Sequence, residues 1–194
     1  MQRYFYFLLV FFSFALQAVN AQSLLSENLN FDRITSEQMI IEKGLSQNTI
    51  QCILQDAQGF MWFGTWDGLN RYDGNTFVIY NQENGLPNST IWSLYEDEDG
   101  ILWVGTEGGL YLLELESGRI FLFPEKENNP ISSGFVTDIV PDGKGNLWIG
   151  SNAGLNRYNK EFDVFTTINF FSDHADSNRA NFINKVLVDD EGLI

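Results

Sequence analysis

Cysteine and histidine are almost missing from the chain: Cys52 and His174 are the only ones among 194 residues. A single cysteine excludes an intramolecular disulfide, and a single histidine leaves no Cys/His cluster that could form a zinc site. Basic residues are scarce too, 11 against 26 acidic, for a net charge of −15. Nucleic acids and anionic membrane surfaces need a basic footprint, so neither is an expected partner. There is no P-loop, no Ser/His/Asp arrangement and no metal-ligand spacing, and His174 sits in a polar stretch where it reads as a solvated side chain. No metal or cofactor is expected. Nor does any segment keep a 3.6-residue apolar period over three turns, which argues against helical repeats.

The long apolar runs also stop short. Residues 1–21 carry Arg3, an apolar run over 4–16, and Val19-Asn20-Ala21 ahead of Gln22. That order, a basic start, an apolar middle and a small-residue end, is that of a secretory signal peptide. The uninterrupted run is shorter than the roughly 20 residues of a spanning helix, which favours a cleaved signal over a membrane anchor. No cysteine follows the cleavage site, so a lipoprotein anchor is not expected. Export places Cys52 in an oxidising compartment, where a buried thiol is safer than an exposed one. Its apolar neighbours Ile50 and Ile53, with no basic group nearby, make it a small core residue and not a nucleophile.

What the chain does have is a repeat. GFMWFGTWDGLNRYD begins at Gly59, GILWVGTEGGLYLLE at Gly100 and GNLWIGSNAGLNRYN at Gly145. Each copy has a tryptophan three residues after the glycine (Trp62, Trp103, Trp148), a second glycine two further on (Gly64, Gly105, Gly150), and then Gly-Leu (Gly68-Leu69, Gly109-Leu110, Gly154-Leu155). The leading glycines are spaced by 41 and 45 residues, and Gly192, another 47 on, opens a fourth copy.

Each copy divides into four short strands. The first, over 49–55, 90–96, 135–141 and 182–188, has apolar residues on both parities, as if neighbours packed on both faces. Asp-x-x-Gly turns follow (Asp56, Asp97, Asp142, Asp189), with aspartate suited to bond the backbone two residues on. The second strand is apolar nearly throughout, and its internal glycine leaves room for a close approach, expected from the next copy's tryptophan. A tight turn leads to a third strand, and an outer strand with paired aromatics (Phe77/Tyr80, Phe162/Phe165) completes the set. Four antiparallel strands per copy with fixed Trp and Gly make a blade of a β-propeller.

The expected fold is therefore all-β, a partial propeller of about three four-stranded blades plus the first strand of a fourth, after a signal peptide. Its boundaries are 1–21 signal peptide, 22–43 a segment whose strand over 29–34 closes the ring, 44–84, 85–130 and 131–181 the blades, and 182–194 the start of blade four. Closure takes four to eight blades, so the chain reads as a piece of something longer. Pro141 falls at the end of a first strand, the inner edge, where a missing N–H costs little. The stretch 170–181, rich in Ser, Asp and Asn, reads as a surface loop.

Strand, Asp-x-x-Gly turn, apolar-Trp-apolar-Gly-Thr/Ser and Gly-Leu-Asn-Arg-Tyr together resemble the two-component regulator propeller repeats, over residues 44–194. The second copy departs from the pattern, with Leu112-Leu113 in place of Arg-Tyr. The resemblance implies the periplasmic sensor of a membrane-spanning hybrid histidine kinase anchored in the inner membrane, often tuned to oligosaccharides. It also implies further propeller blades, a β-sandwich, a transmembrane helix and a kinase in the same longer chain, acting as a homodimer. The segment itself is then no enzyme.

Positions shared by the copies are architecture, so specificity is expected where they differ. The loops leading into the first strands and the turns between second and third strands share one propeller face. On it fall 47–48, 88–89, 132–133 and the turn pairs 66–67, 107–108 and 152–153. An exposed Trp66 beside carboxylates and amides is the equipment of a sugar site, a platform for the ring and polar groups for hydroxyls. The candidate ligand residues are Trp66, Asp67, Asn88, Trp92, Glu107 and Asn152. Trp92 is equally consistent with the channel or the core. An alternative is an exported propeller enzyme acting on polysaccharide, a lyase or a glycoside hydrolase with Asp67 and Glu107 as acid and base; another is a protein-binding scaffold.

Overall fold

The computed structural model describes residues 44–123, 134–168 and 181–189. The signal peptide over 1–21, the leading strand over 29–34, residues 132–133, most of the 170–181 loop with His174, and the fourth copy beyond 189 lie outside the described residues.

Twelve strands form three separate four-stranded sheets, each antiparallel and each in sequence order from one edge to the other. The first comprises β1 (Ile50–Gln55), β2 (Met61–Thr65), β3 (Gly68–Tyr72) and β4 (Phe77–Tyr80). The second comprises β5 (Ile91–Glu96), β6 (Ile101–Thr106), β7 (Gly109–Glu114) and β8 (Ile120–Phe123). The third comprises β9 (Val136–Pro141), β10 (Asn146–Ser151), β11 (Gly154–Asn159) and β12 (Val164–Ile168). These are three consecutive propeller blades of an all-β fold.

Each hairpin turn is built by the side chain that opens it. Asp56 Oδ1 accepts from the backbone N–H of Gln58 at 3.0 Å and of Phe60 at 2.9 Å, while Oδ2 accepts from the Trp62 indole at 2.7 Å. Asp97 does the same for Asp99, Ile101 and Trp103, the last at 2.8 Å. One carboxylate thus closes the turn and satisfies the one polar atom of a buried tryptophan. The third blade breaks this clasp. Asn146 stands where the other blades have Phe60 and Ile101, and its amide takes Asp142 Oδ2 at 2.6 Å. Trp148 Nε1 is left buried with no hydrogen-bond partner.

The core lies between blades, not within them. Trp62 and Leu69 of the first blade pack with Leu86, Ile91, Leu102, Val104, Tyr111 and Leu113 of the second, all buried. Trp103, Leu110 and Leu112 of the second pack with Val136, Ile139, Leu147, Ile149 and Tyr158 of the third. Trp148 and Leu155 pack with Val186 of the following segment. A twisted four-stranded sheet exposes two apolar faces, and stacking identical sheets removes both from water.

The glycine in each second strand is required by this stacking, but the group that approaches it is not the expected tryptophan. A Cβ on Gly64 would lie 2.7 Å from Ile91 Cγ2 and 2.4 Å from Cys52 Sγ. On Gly105 it would lie 2.8 Å from Val136 Cγ1, and on Gly150 2.9 Å from Ile183 Cγ2. The intruder is the β-branched residue that begins the next blade's inner strand, because inner strands converge on the axis. Indoles sit farther out, tied to their own turns.

Among the described residues no blade precedes the first, and Ile53 on its inner strand is 58% exposed. Residues 182–189 run extended beside the third blade but belong to no sheet among the described residues. Ile183 N donates to Ser151 O at 2.9 Å, Val186 N donates to Asp138 Oδ2 at 2.9 Å, and Lys185 Nζ pairs with Asp138 Oδ1 at 2.9 Å. Pro141 is exposed at the end of β9, opposite Leu147, as its missing N–H requires.

Candidate functional site

The face that holds the lead-ins to the inner strands is shaped by the tight turns between second and third strands. Thr65 Oγ1 donates to Gly68 O at 2.9 Å and accepts from Asp67 N at 3.1 Å. Thr106 and Ser151 repeat the arrangement with Gly109 O and Gly154 O, at 2.8 and 2.9 Å. The hydroxyl inside the turn folds the two intervening residues outward. Trp66 is therefore 52% exposed, held there by local bonds instead of packing. Gly68 adopts φ +126° and donates from N to Ser89 O at 2.7 Å, which ties the first blade's turn to the second blade's lead-in.

Between them lies an open cleft of about 410 Å³ lined by Trp66, Asp67, Asn81, Gln82, Glu83, Asn88, Ser89 and Thr90. Three of the six expected ligand residues, Trp66, Asp67 and Asn88, come together here. Of the other lining residues, Asn81 caps and Gln82 and Glu83 belong to a 3-10 turn over Gln82–Asn84, to which the sequence reading assigned no element inside the first blade. Asn81 Oδ1 accepts from Glu83 N at 3.0 Å, and Asn84 Oδ1 accepts from Asn81 N at 2.6 Å, a reciprocal cap. Leu86, fully buried, pins the far end of this turn in the core. The Asn81-x-x-Asn84-Gly85 spacing was the available signal, with Gly85 at φ +105° ending the turn.

Among the described residues, charge in the cleft comes from Asp67 and Glu83, and no cation lines it. The chemistry on offer is an aromatic face, three amide side chains, hydroxyls and carboxylate acceptors. That set suits an uncharged polyhydroxylated ligand.

The remaining candidates fall elsewhere on this face. Glu107 is exposed on the second blade's turn, its N–H donating to Thr90 O at 3.2 Å, and it does not line the cleft with Asp67. Asn152 is exposed on the third blade's turn; its backbone N–H donates to Phe135 O at 3.0 Å and its Oδ1 accepts from Phe135 N at 3.2 Å. Trp92 occupies the irregular position in β5 between Ile91 and Ser93, half-buried, with its ring 4.9 Å from that of Phe135. No group of three or more His, Cys, Asp or Glu among the described residues is placed to hold a metal ion.

On the opposite face, Lys160 reaches from the third blade to Asp97 at 2.9 Å and Asp99 at 3.1 Å in the second. Burial opposes ionisation of Asp97, but hydrogen bonds from the Trp103 indole and Lys160 outweigh it and hold the carboxyl below the usual range. This contact is a structural tie between blades. Burial also pushes the Cys52 thiol up to about 12, which removes it as a nucleophile at neutral pH.

Comparison with known proteins agrees with this architecture. Residues 44–67, 85–108 and 130–153 match the family model of the two component regulator propeller. Histidine kinase P4 of Formosa agariphila is 44% identical over 69 residues, covering 36% of this chain and 5% of that protein. The extracellular domain of a putative hybrid two component system from B. thetaiotaomicron superposes with a TM-score of 0.60 at 26% identity, over 68% of this chain and 20% of that one. Another extracellular domain from the same organism, of a putative one component system, gives 0.57 at 24% identity over 76% and 22%, a likeness of fold. The chain thus spans a small part of the length of the proteins it matches.

Proposed function

We propose, for a chain that carries two-component regulator propeller repeats, that its blades belong to the extracytoplasmic ligand-sensing region of a membrane-spanning hybrid sensor kinase, reached through the secretory signal of residues 1–21. The ligand is an oligosaccharide, and the kinase that reports it lies outside this segment, as do the remaining blades and the transmembrane helix. The observation that carries this reading is the cleft between the first two blades, where Trp66 offers an exposed ring beside Asp67 and Asn88. Aromatic faces stack on the apolar face of a sugar ring, and amides and carboxylates fix its hydroxyls.

Signalling needs the ligand to favour one of two arrangements of the ectodomain, and only the difference in affinity between them does work. A cleft whose walls come from two blades is suited to this, since its width follows the angle between the blades. In a homodimeric receptor, that shift biases the pairing of the kinases across the membrane.

The test is calorimetric titration of the full-length protein with oligosaccharides. Binding should weaken about tenfold, or 1.4 kcal/mol, in Trp66→Ala, for the loss of one stacking ring. Absence of binding by every oligosaccharide at millimolar concentration would remove the reading.

A further inference from the structure

The first residues of the third and fourth inner strands depart from the repeat in one specific way. Where the first two copies have Thr49 and Thr90, the third and fourth have Phe135 and Phe182. Trp92 likewise replaces Gln51, Thr137 and Asn184 at its position. Phe135 and Phe182 thus share one position and Trp92 stands alone at another, three aromatics at the starts of the second, third and fourth copies. The structure brings them into one row. Trp92 and Phe135 have ring centroids 4.9 Å apart, and Phe135 and Phe182 5.7 Å apart. The row runs across the second and third blades and onto the following segment, at the ends of the inner strands that share a face with the Trp66 turn.

Among the described residues the row is only partly covered: Phe182 is 42% exposed, and Trp92 and Phe135 are half-buried, whereas the repeat's architectural tryptophans are buried. Polar groups flank the row: Asn152 brackets the Phe135 backbone and Glu107 hangs from Thr90 O. Thr90, two residues before Trp92, lines the Trp66 cleft, so the cleft and the row adjoin.

We propose that the Trp92–Phe135–Phe182 row is a second carbohydrate subsite, continuous with the Trp66 cleft, and that the ligand is a neutral oligosaccharide long enough to occupy both. It rests on the sensing reading above and extends it. Successive rings give successive sugar units a stacking surface. Neutrality follows from charge among the described residues: Asp67, Glu83 and Glu107 are the charged side chains of the cleft and turns, and Lys185, three residues after Phe182, pairs with Asp138 at 2.9 Å. A uronate or sulfated glycan would meet these carboxylates.

The experiment titrates the full-length protein with linear gluco-, manno-, xylo- and arabino-oligosaccharides, and with oligogalacturonates as charged counterparts. A neutral chain should bind, and longer chains should bind more tightly than the disaccharide. Phe182→Ala, at an exposed position, should weaken the longer chains about tenfold and leave the disaccharide unchanged; Trp92→Phe, which reduces the ring surface, should weaken them several-fold. If Trp66→Ala abolishes binding while Phe182→Ala and Trp92→Phe do nothing, the row is not a subsite and the sensing reading stands. Tighter binding of the galacturonates would overturn the ligand class. A change in oligomeric state in Phe182→Ala with glycan binding intact would make the row a protein interface and refute the proposal. No binding from either panel would end both readings.

Discussion

Replacing Asn146 with isoleucine, the residue at its position in the second blade, should stabilise the protein. In the wild type Asn146 holds Asp142 Oδ2 at 2.6 Å, and the Trp148 indole N–H is buried and unpaired. In the second blade, Ile101 leaves Asp97 free to accept from Trp103 at 2.8 Å. Asn146→Ile would release the Asp142 oxygen to the indole. The new bond replaces the Asn146 amide's own bond to the same carboxylate, so those two terms cancel, and the gain is relief of the unsatisfied buried donor, about 1–3 kcal/mol. Against this, the Asn159 amide loses its bond to Asn146 Oδ1, 2.7 Å in the wild type, at about 1 kcal/mol. Asn146 is almost fully buried, so the isoleucine adds apolar burial worth about 1.5 kcal/mol if it fits without strain. A net gain of about 1–2 kcal/mol is expected. With an m value of about 3 kcal/mol/M for a domain of this size, the urea midpoint followed by tryptophan fluorescence should rise by about 0.5 M. The gain should shrink to the isoleucine's own burial when Asp142→Ala is added, because the coupling runs through that carboxylate. A midpoint that is unchanged or lower, or a gain undiminished beside Asp142→Ala, would refute the reasoning.

Other consequences follow from the same contacts. Asp97→Ala should lower stability by about 3 kcal/mol, measured by urea unfolding, since it strips the Trp103 indole, two turn amides and Lys160 of one acceptor. Because the folded-state pKa values of Asp97 and Asp142 are both held low, their contribution is present above the ordinary aspartate range and is lost as pH falls through the folded values. The midpoint should therefore drop on acidification below about pH 4, and less steeply in Asp97→Asn. Gly105→Ala should cost about 2 kcal/mol or more, because its Cβ would lie 2.8 Å from Val136 Cγ1; Gly59→Ala meets nothing within 4 Å and should lose only about 1 kcal/mol from its φ of +94°. Cys52 should resist a disulfide-exchange reagent at neutral pH until the protein is unfolded, its thiol being pushed up to about 12 by burial.

The fold was legible in the chain because its constraints are local and written three times. Asp56, Asp97 and Asp142 open their turns, the tryptophans follow at a fixed distance, and strand lengths are set by the glycines that bound them, all within a few residues of one another. The site was legible only in part. Trp66, Asp67 and Asn88 were accessible because they differ from their counterparts in the other copies and fall on one face by topology. The Asn81–Glu83 wall was missed because a capped 3-10 turn in a linker has no apolar period to announce it.

Sequence alone settled the repeat, the four-stranded blade and the acidic balance of charge, since turn geometry and strand periodicity depend on neighbours along the chain. Only the tertiary structure decided what crosses between blades: that Ile91, Val136 and Ile183 fill the glycine gaps, and that Trp92, Phe135 and Phe182 stand in a row. Those contacts join residues some 30 to 50 positions apart, and their partners are fixed by how sheets lean on one another about an axis, a quantity no local pattern encodes.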